Sequence, residues 1–191
     1  EATSYPTDWN TATFDDTSWS SGQAELGYGD GDEITELDFG NDPDNKPIVS
    51  YFRKAFEIND PSTVVGLTLE LLRDDGAVVY LNGEEVVRSN LPDGILSNQT
   101  RALSAIGGAN EQAFSQFSID PNELRVGTNV IAVAIHQVLP TSSDISFDLS
   151  LVAELETTRQ PDIILTESET LSARALVNGT WSAMNRQSYL V

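Results

Sequence analysis

Carboxylates are the reactive groups this sequence offers in quantity. It carries 30 Asp and Glu against 10 Lys and Arg, with one His and no Cys, for a formal net charge of −20. Their spacing matters more than their number. Asp30-Gly31-Asp32-Glu33 places three carboxylates around a glycine, and Asp42-Pro43-Asp44-Asn45 follows in the same Gly- and Pro-punctuated stretch, residues 27–47. Calcium takes about six to eight oxygen ligands gathered at turns. Asp30, Asp32, Glu33, Asp42 and Asp44 are therefore candidate ligands of a structural calcium ion. The competing reading is a solvated acidic loop on an acidic protein. No loop with EF-hand spacing occurs.

A second group of polar residues sits at the ends of apolar runs. Arg73-Asp74-Asp75-Gly76 precedes the run AVVYL, and His136-Gln137 ends the run NVIAVAI. Neighbouring residues on a strand point to opposite faces, so Asp74 and Asp75 make a poor acid/base pair. One of them suits a turn-capping role, and His136 suits a hydrogen-bonded strand end. The alternative is ligand contact. Sugar rings stack their C–H faces on aromatic side chains and offer hydroxyls to planar polar groups. Tyr28 with Arg53, Asp75, Arg88, His136 and Gln137 would supply such a mixed site, and Ser142, Ser143 and Asp144 could stand beside it. Trp9 and Trp19 read instead as anchors of the N-terminal segment, and Phe39 as either a loop anchor or an exposed platform.

Several chemistries are excluded or disfavoured. Without Cys there is no disulfide framework and no thiolate. One His cannot build an ordinary zinc site unless carboxylates complete it. No G-x-S-x-G nucleophile elbow is present. Nothing marks out one carboxylate pair for glycoside hydrolysis, so a non-catalytic role is expected. The negative field disfavours nucleic acid and anionic membrane surfaces. No apolar run reaches the roughly 18 residues of a membrane span.

The elements that must position these residues are strands. Residues 50–58, SYFRKAFEI, alternate Phe52, Phe56 and Ile58 with Tyr51, Arg53, Ala55 and Glu57. Residues 63–72 set Val65, Leu67, Leu69 and Leu71 on one side. Residues 77–81 and 84–88 flank Asn82-Gly83, a type I′ hairpin signal. A short strand is predicted over 114–119. Asp120-Pro121 then opens a helical turn with Asp120 as its cap. In residues 129–137, Ile131, Val133 and Ile135 share one face. Val130, Ala132, Ala134 and His136 share the other, and its small Ala pair predicts close packing there too. Residues 145–154 bury Ile145, Phe147, Leu149 and Leu151. The pattern predicts an all-β, two-sheet antiparallel β-sandwich over residues 1–156. Residues 157–191 read as a strand over 163–165 and then a β-hairpin extension.

In order along the chain, FDDTSWSSGQAELGYGDGDE, YFRKAFEI, LRDDGAVVYLNGEEVVRSNLP, LRVGTNVIAVAIHQ and SSDISFDLSL resemble bacterial extracellular domains of the galactose-binding-like, jelly-roll superfamily. Such domains accompany secreted polysaccharide-degrading enzymes and CotH-like or lamin-tail surface proteins. The resemblance implies a secreted, monomeric, calcium-stabilised carbohydrate-binding module that targets a polysaccharide for an attached catalytic domain. A marine algal galactan or alginate is the candidate polysaccharide, with Arg53 and Arg88 as anion contacts, while the net charge of −20 favours neutral chains. A structural or interaction module without a sugar ligand is the other expectation. Residues 164–191 are similar to the closing strands of an Ig-like domain of the chitobiase C-terminal type. The first half of such a domain is missing.

Overall fold

The computed structural model describes residues 8–156 and, from the C-terminal stretch, the backbone of four short strands. The chain divides into two units, Glu1–Glu156 and Thr157–Val191. The first is a β-sandwich. One sheet has five strands, ordered β2 (Thr35–Glu36), β1 (Leu26–Tyr28), β9 (Ile145–Leu155), β4 (Val64–Arg73) and β7 (Ser115–Ile119). The other has four, ordered β3 (Val49–Ile58), β8 (Gly127–His136), β5 (Gly76–Leu81) and β6 (Glu84–Ser89). All pairings are antiparallel except β1 with β2, which is parallel.

Alternation builds the core between the sheets. Leu67, Leu69 and Leu71 of β4 meet Ala77, Val79 and Leu81 of β5, Ile131, Val133 and Ile135 of β8, and Ile145 and Phe147 of β9. Leu149 and Leu151 pack at its partly buried edge. The outer face of the four-stranded sheet is covered as well. Val78, Val130, Ala132 and Ala134 pack with Trp9, Ile48, Val49 and Leu91, with Phe14 and Trp19 at the margin. Trp9 sets its ring edge-on to Tyr51 at 4.8 Å and to Tyr80 at 5.7 Å. The two alanines of β8 are small because this second layer lies on them.

Local signals act as their chemistry requires. Asn82 and Gly83 take φ of 55° and 95° between β5 and β6. Asp120 caps the 3-10 turn Pro121–Glu123 by accepting the Asn122 N–H at 2.9 Å. One face differs from expectation. Val65 is exposed and Val64 is buried, because the register of β4 against β9 shifts between Val64 and Gly66. A bulge of this kind turns a residue to the opposite face. In the second unit, Glu169–Ala173 pairs with Asn185–Tyr189, and Leu176–Val177 with Thr180–Trp181, both antiparallel. The strand expected over 163–165 lies outside the described residues.

Candidate functional site

Asp74 and Asp75 form the whole link from β4 in one sheet to β5 in the other. Gly76 pairs with His136, so this crossing lies beside the end of β8. Asp74, Asp75, His136 and Gln137 meet there, at 2%, 3%, 0% and 1% exposure. The Asp75 carboxylate accepts the Ile106 N–H at 2.8 Å and the Val138 N–H at 2.7 Å. Its carbonyl accepts Arg73 at 2.5 Å and Asn90 at 3.1 Å. His136 Nδ1 lies 2.7 Å from the Thr100 carbonyl, which assigns the ring proton to Nδ1. Burial holds the His136 pKa below its ordinary value, so the ring is neutral. Gln137 Nε2 donates to the Asp144 carbonyl at 2.7 Å and to the Tyr28 hydroxyl at 3.5 Å. Asp74 donates its N–H to the Ser146 carbonyl at 2.9 Å. Burial, then the adjoining Asp75 carboxylate, pushes the Asp74 carboxyl up to about 8. Asp74 Oδ1, Gln137 Oε1 and His136 Nε2 are buried and meet no hydrogen-bond partner among the described residues.

The acidic loop flanks this knot. Glu33 accepts the N–H groups of Asp30 and Gly31, both at 2.9 Å. Asp30 accepts the Ser146 hydroxyl at 2.9 Å, and Asp32 accepts Gln112 at 3.1 Å. One carboxylate oxygen from each of Asp30, Asp32 and Glu33 lies within 4.8 Å of the others, an arrangement that could hold a metal ion. Burial raises the Asp30 and Glu25 carboxyls above their ordinary range. Burial acts the same way on Glu33, but its backbone N–H bonds outweigh it and hold that group low. Asp42 accepts the Asp44 N–H at 3.1 Å in a turn of its own, and neither joins the triad. Lys46 bolts the loop down. Its ammonium reaches the Ser142 carbonyl at 2.5 Å and lies 5.3 Å from the Tyr28 ring and 5.0 Å from the Phe39 ring. Gly29, at φ +110°, passes so close that a Cβ there would stand 2.8 Å from Asp144 Cα.

The six residues expected to contact a sugar therefore separate. Tyr28, Asp75, His136 and Gln137 converge, but in a buried knot that stitches loops together. Arg53 lies on β3, with its guanidinium held by the carbonyls of Trp9 and Thr11 and by Asp16 at 2.9 Å. Arg88 pairs with Glu85 at 2.6 Å and holds the carbonyls of Pro92 and Gly94.

A cleft that the sequence does not reveal lies elsewhere. Strand β1 pairs only with Ile145, Ser146 and Phe147 of the 11-residue β9. Beyond that point the β9 edge, like the outer edge of β3, has no strand partner among the described residues. Between them opens a cleft of about 980 Å³. Phe52, Phe56, Leu149 and Leu151 lie at its apolar floor, and Asp16, Trp19, Gln23, Arg53 and Lys54 at its rim. Trp19 is both the expected anchor and a rim residue, packed edge-on to Phe14 at 5.5 Å. No residue singled out in the sequence points to it, since Trp19 reads as an anchor of the N-terminal segment.

No family model matches the chain, and no curated protein does. Parts of several solved structures are similar to it. A β-glucuronidase from Bacteroides uniformis superposes with a TM-score of 0.50 at 16% identity, over 96% of this chain and 24% of that one. An α-L-rhamnosidase from Streptomyces avermitilis gives 0.42 at 18% identity, over 61% of this chain and 10% of that one. One from Dictyoglumus thermophilum gives 0.38 at 16%, over 60% and 13%. The chain thus spans about a tenth to a quarter of the glycoside hydrolase chains it is similar to.

Proposed function

We propose that this chain is a secreted, non-catalytic carbohydrate-binding module, carried beside a catalytic domain, and that the cleft between β3 and β9 seats its polysaccharide. The cleft carries the reading: an apolar floor, an aromatic ring and planar polar groups at one rim suit a sugar's C–H faces and hydroxyls. Calcium at Asp30, Asp32 and Glu33 is the stabilising ion of this reading. A single carboxylate, Asp16, is among the lining residues, whereas glycoside hydrolysis uses two across the scissile bond. Calorimetry against neutral and anionic polysaccharides tests the proposal. Trp19→Ala is expected to weaken binding at least about tenfold, since stacking on an aromatic ring is lost. Lys54→Ala is expected to weaken anionic chains selectively. Equal affinity in wild type and Trp19→Ala would remove the cleft from the argument, and turnover of any panel member would remove the non-catalytic reading.

A second reading rests on the same cleft. Two strand edges that have no partner among the described residues, beside an apolar floor, also suit a docked strand from a neighbouring domain of a multidomain surface protein. Failure of every polysaccharide, with tight binding of the adjoining domain, would favour it.

A further inference from the structure

Arg73 ends β4, and its flank toward β7 is open. Leu71 pairs with Ser115, the first residue of β7, whereas Arg73 pairs only with Phe147 of β9. Beside Ser115 lies a pocket of about 200 Å³, lined by Arg73, Ile106, Asn110, Ala113 and Ser115. It shares no lining residue with the cleft between β3 and β9. The half-buried guanidinium is held from behind. Nε donates to the Ser89 hydroxyl at 2.9 Å, and Nη1 to the Asp75 carbonyl at 2.5 Å. Nη2 makes no hydrogen bond among the described residues, and neither does the side chain of Asn110 or of Ser115. The Ile106 wall is fixed too, because its N–H binds Asp75. Arg53 and Arg88 each pair with a carboxylate, but no carboxylate oxygen comes within 4.0 Å of the Arg73 guanidinium among the described residues. Asp75 commits both its oxygens to the Ile106 and Val138 N–H groups, and burial keeps the Asp74 carboxyl protonated at neutral pH. Glu111, on the same connection, is not among the lining residues. A fixed guanidinium with unused N–H groups offers strong charge-assisted hydrogen bonds to an anion.

We infer that this pocket binds one small oxyanion of the carboxylate or sulfate class, with Arg73 as its charged contact and the Asn110 amide and Ser115 hydroxyl as neutral donors. All three side chains can donate hydrogen bonds. The volume lies below the roughly 300–1,000 Å³ of sites for drug-sized ligands, so it admits one charged group and not a length of polymer. The net charge of −20 repels anions at long range, but at about 0.15 M salt that field is screened beyond about 8 Å, and the adjacent guanidinium decides. A bound oxyanion would join the end of β4 to the 3-10 turn Gly108–Asn110 and to the start of β7.

Amide NMR of the 191-residue chain tests this, with sodium sulfate, acetate or glucuronate exchanged for chloride at a constant ionic strength of about 0.15 M. Saturable shifts are expected at Ile106, Asn110 and Ser115, with dissociation constants on the order of 1–10 mM. Glucuronate tighter than acetate would assign the bound group to a sugar acid, and equal affinity to free anions. Ala113→Leu fills the pocket and leaves both Arg73 ties in place, so it should weaken sulfate and acetate at least about tenfold. Arg73→Met should abolish the shifts, and Ala113→Leu decides the matter if that variant does not fold. The inference is overturned if the shifts rise linearly to the end of every titration, or if Ala113→Leu binds as the wild type does.

Discussion

Arg53 turns its charge into the fold. Its charge and place on β3 suited an anion contact, yet its guanidinium is 4% exposed and closes the N-terminal segment over the sheet. Arg53→Met should therefore destabilise the domain by about 2–4 kcal/mol, from two lost carbonyl bonds and one ion pair. Urea denaturation would measure it, and a change under about 0.5 kcal/mol would contradict the clamp. Asp75 tells the same story from the other side. The sequence offers turn capping and ligand contact as alternatives. The two backbone N–H groups it holds lie 31 and 63 residues away in the chain, so no local pattern could separate the alternatives.

Strands were legible where their apolar residues alternate over long runs. β3, β4, β8 and β9, with the β5–β6 hairpin, stand within a residue or two of their expected ends. The faces of β8 were legible on both sides because Ala132 and Ala134 record the layer above them. What failed was local geometry set by a partner strand. The bulge between Val64 and Gly66 depends on β9, and the three-residue β1 has too little sequence to show a period. Substitution can verify the register. Val64→Thr should cost about 1–2 kcal/mol by burying a hydroxyl, and Val65→Thr less than about 0.5 kcal/mol. The reverse order would mean that β4 pairs without the bulge.

At the scale of the whole molecule, the sandwich follows from composition and period, but the cleft follows from a mismatch of strand lengths that only pairing reveals. The net charge of −20 acts on all of it at once. Raising salt from about 0.01 M to 0.15 M shortens the screening length from about 30 Å to 8 Å, so the melting temperature should climb as self-repulsion weakens. A melt that is flat in sodium chloride would show that the carboxylates are already compensated. The Asp75 anchor has one more consequence. Residues 90–114 cross between sheets with no strand of their own, yet the Ala102 amide is tied to the Gln137 carbonyl and the Ile106 amide to Asp75. Those two amide protons should exchange with deuterium on the timescale of sheet interiors, leaving slow islands in an otherwise fast-exchanging connection.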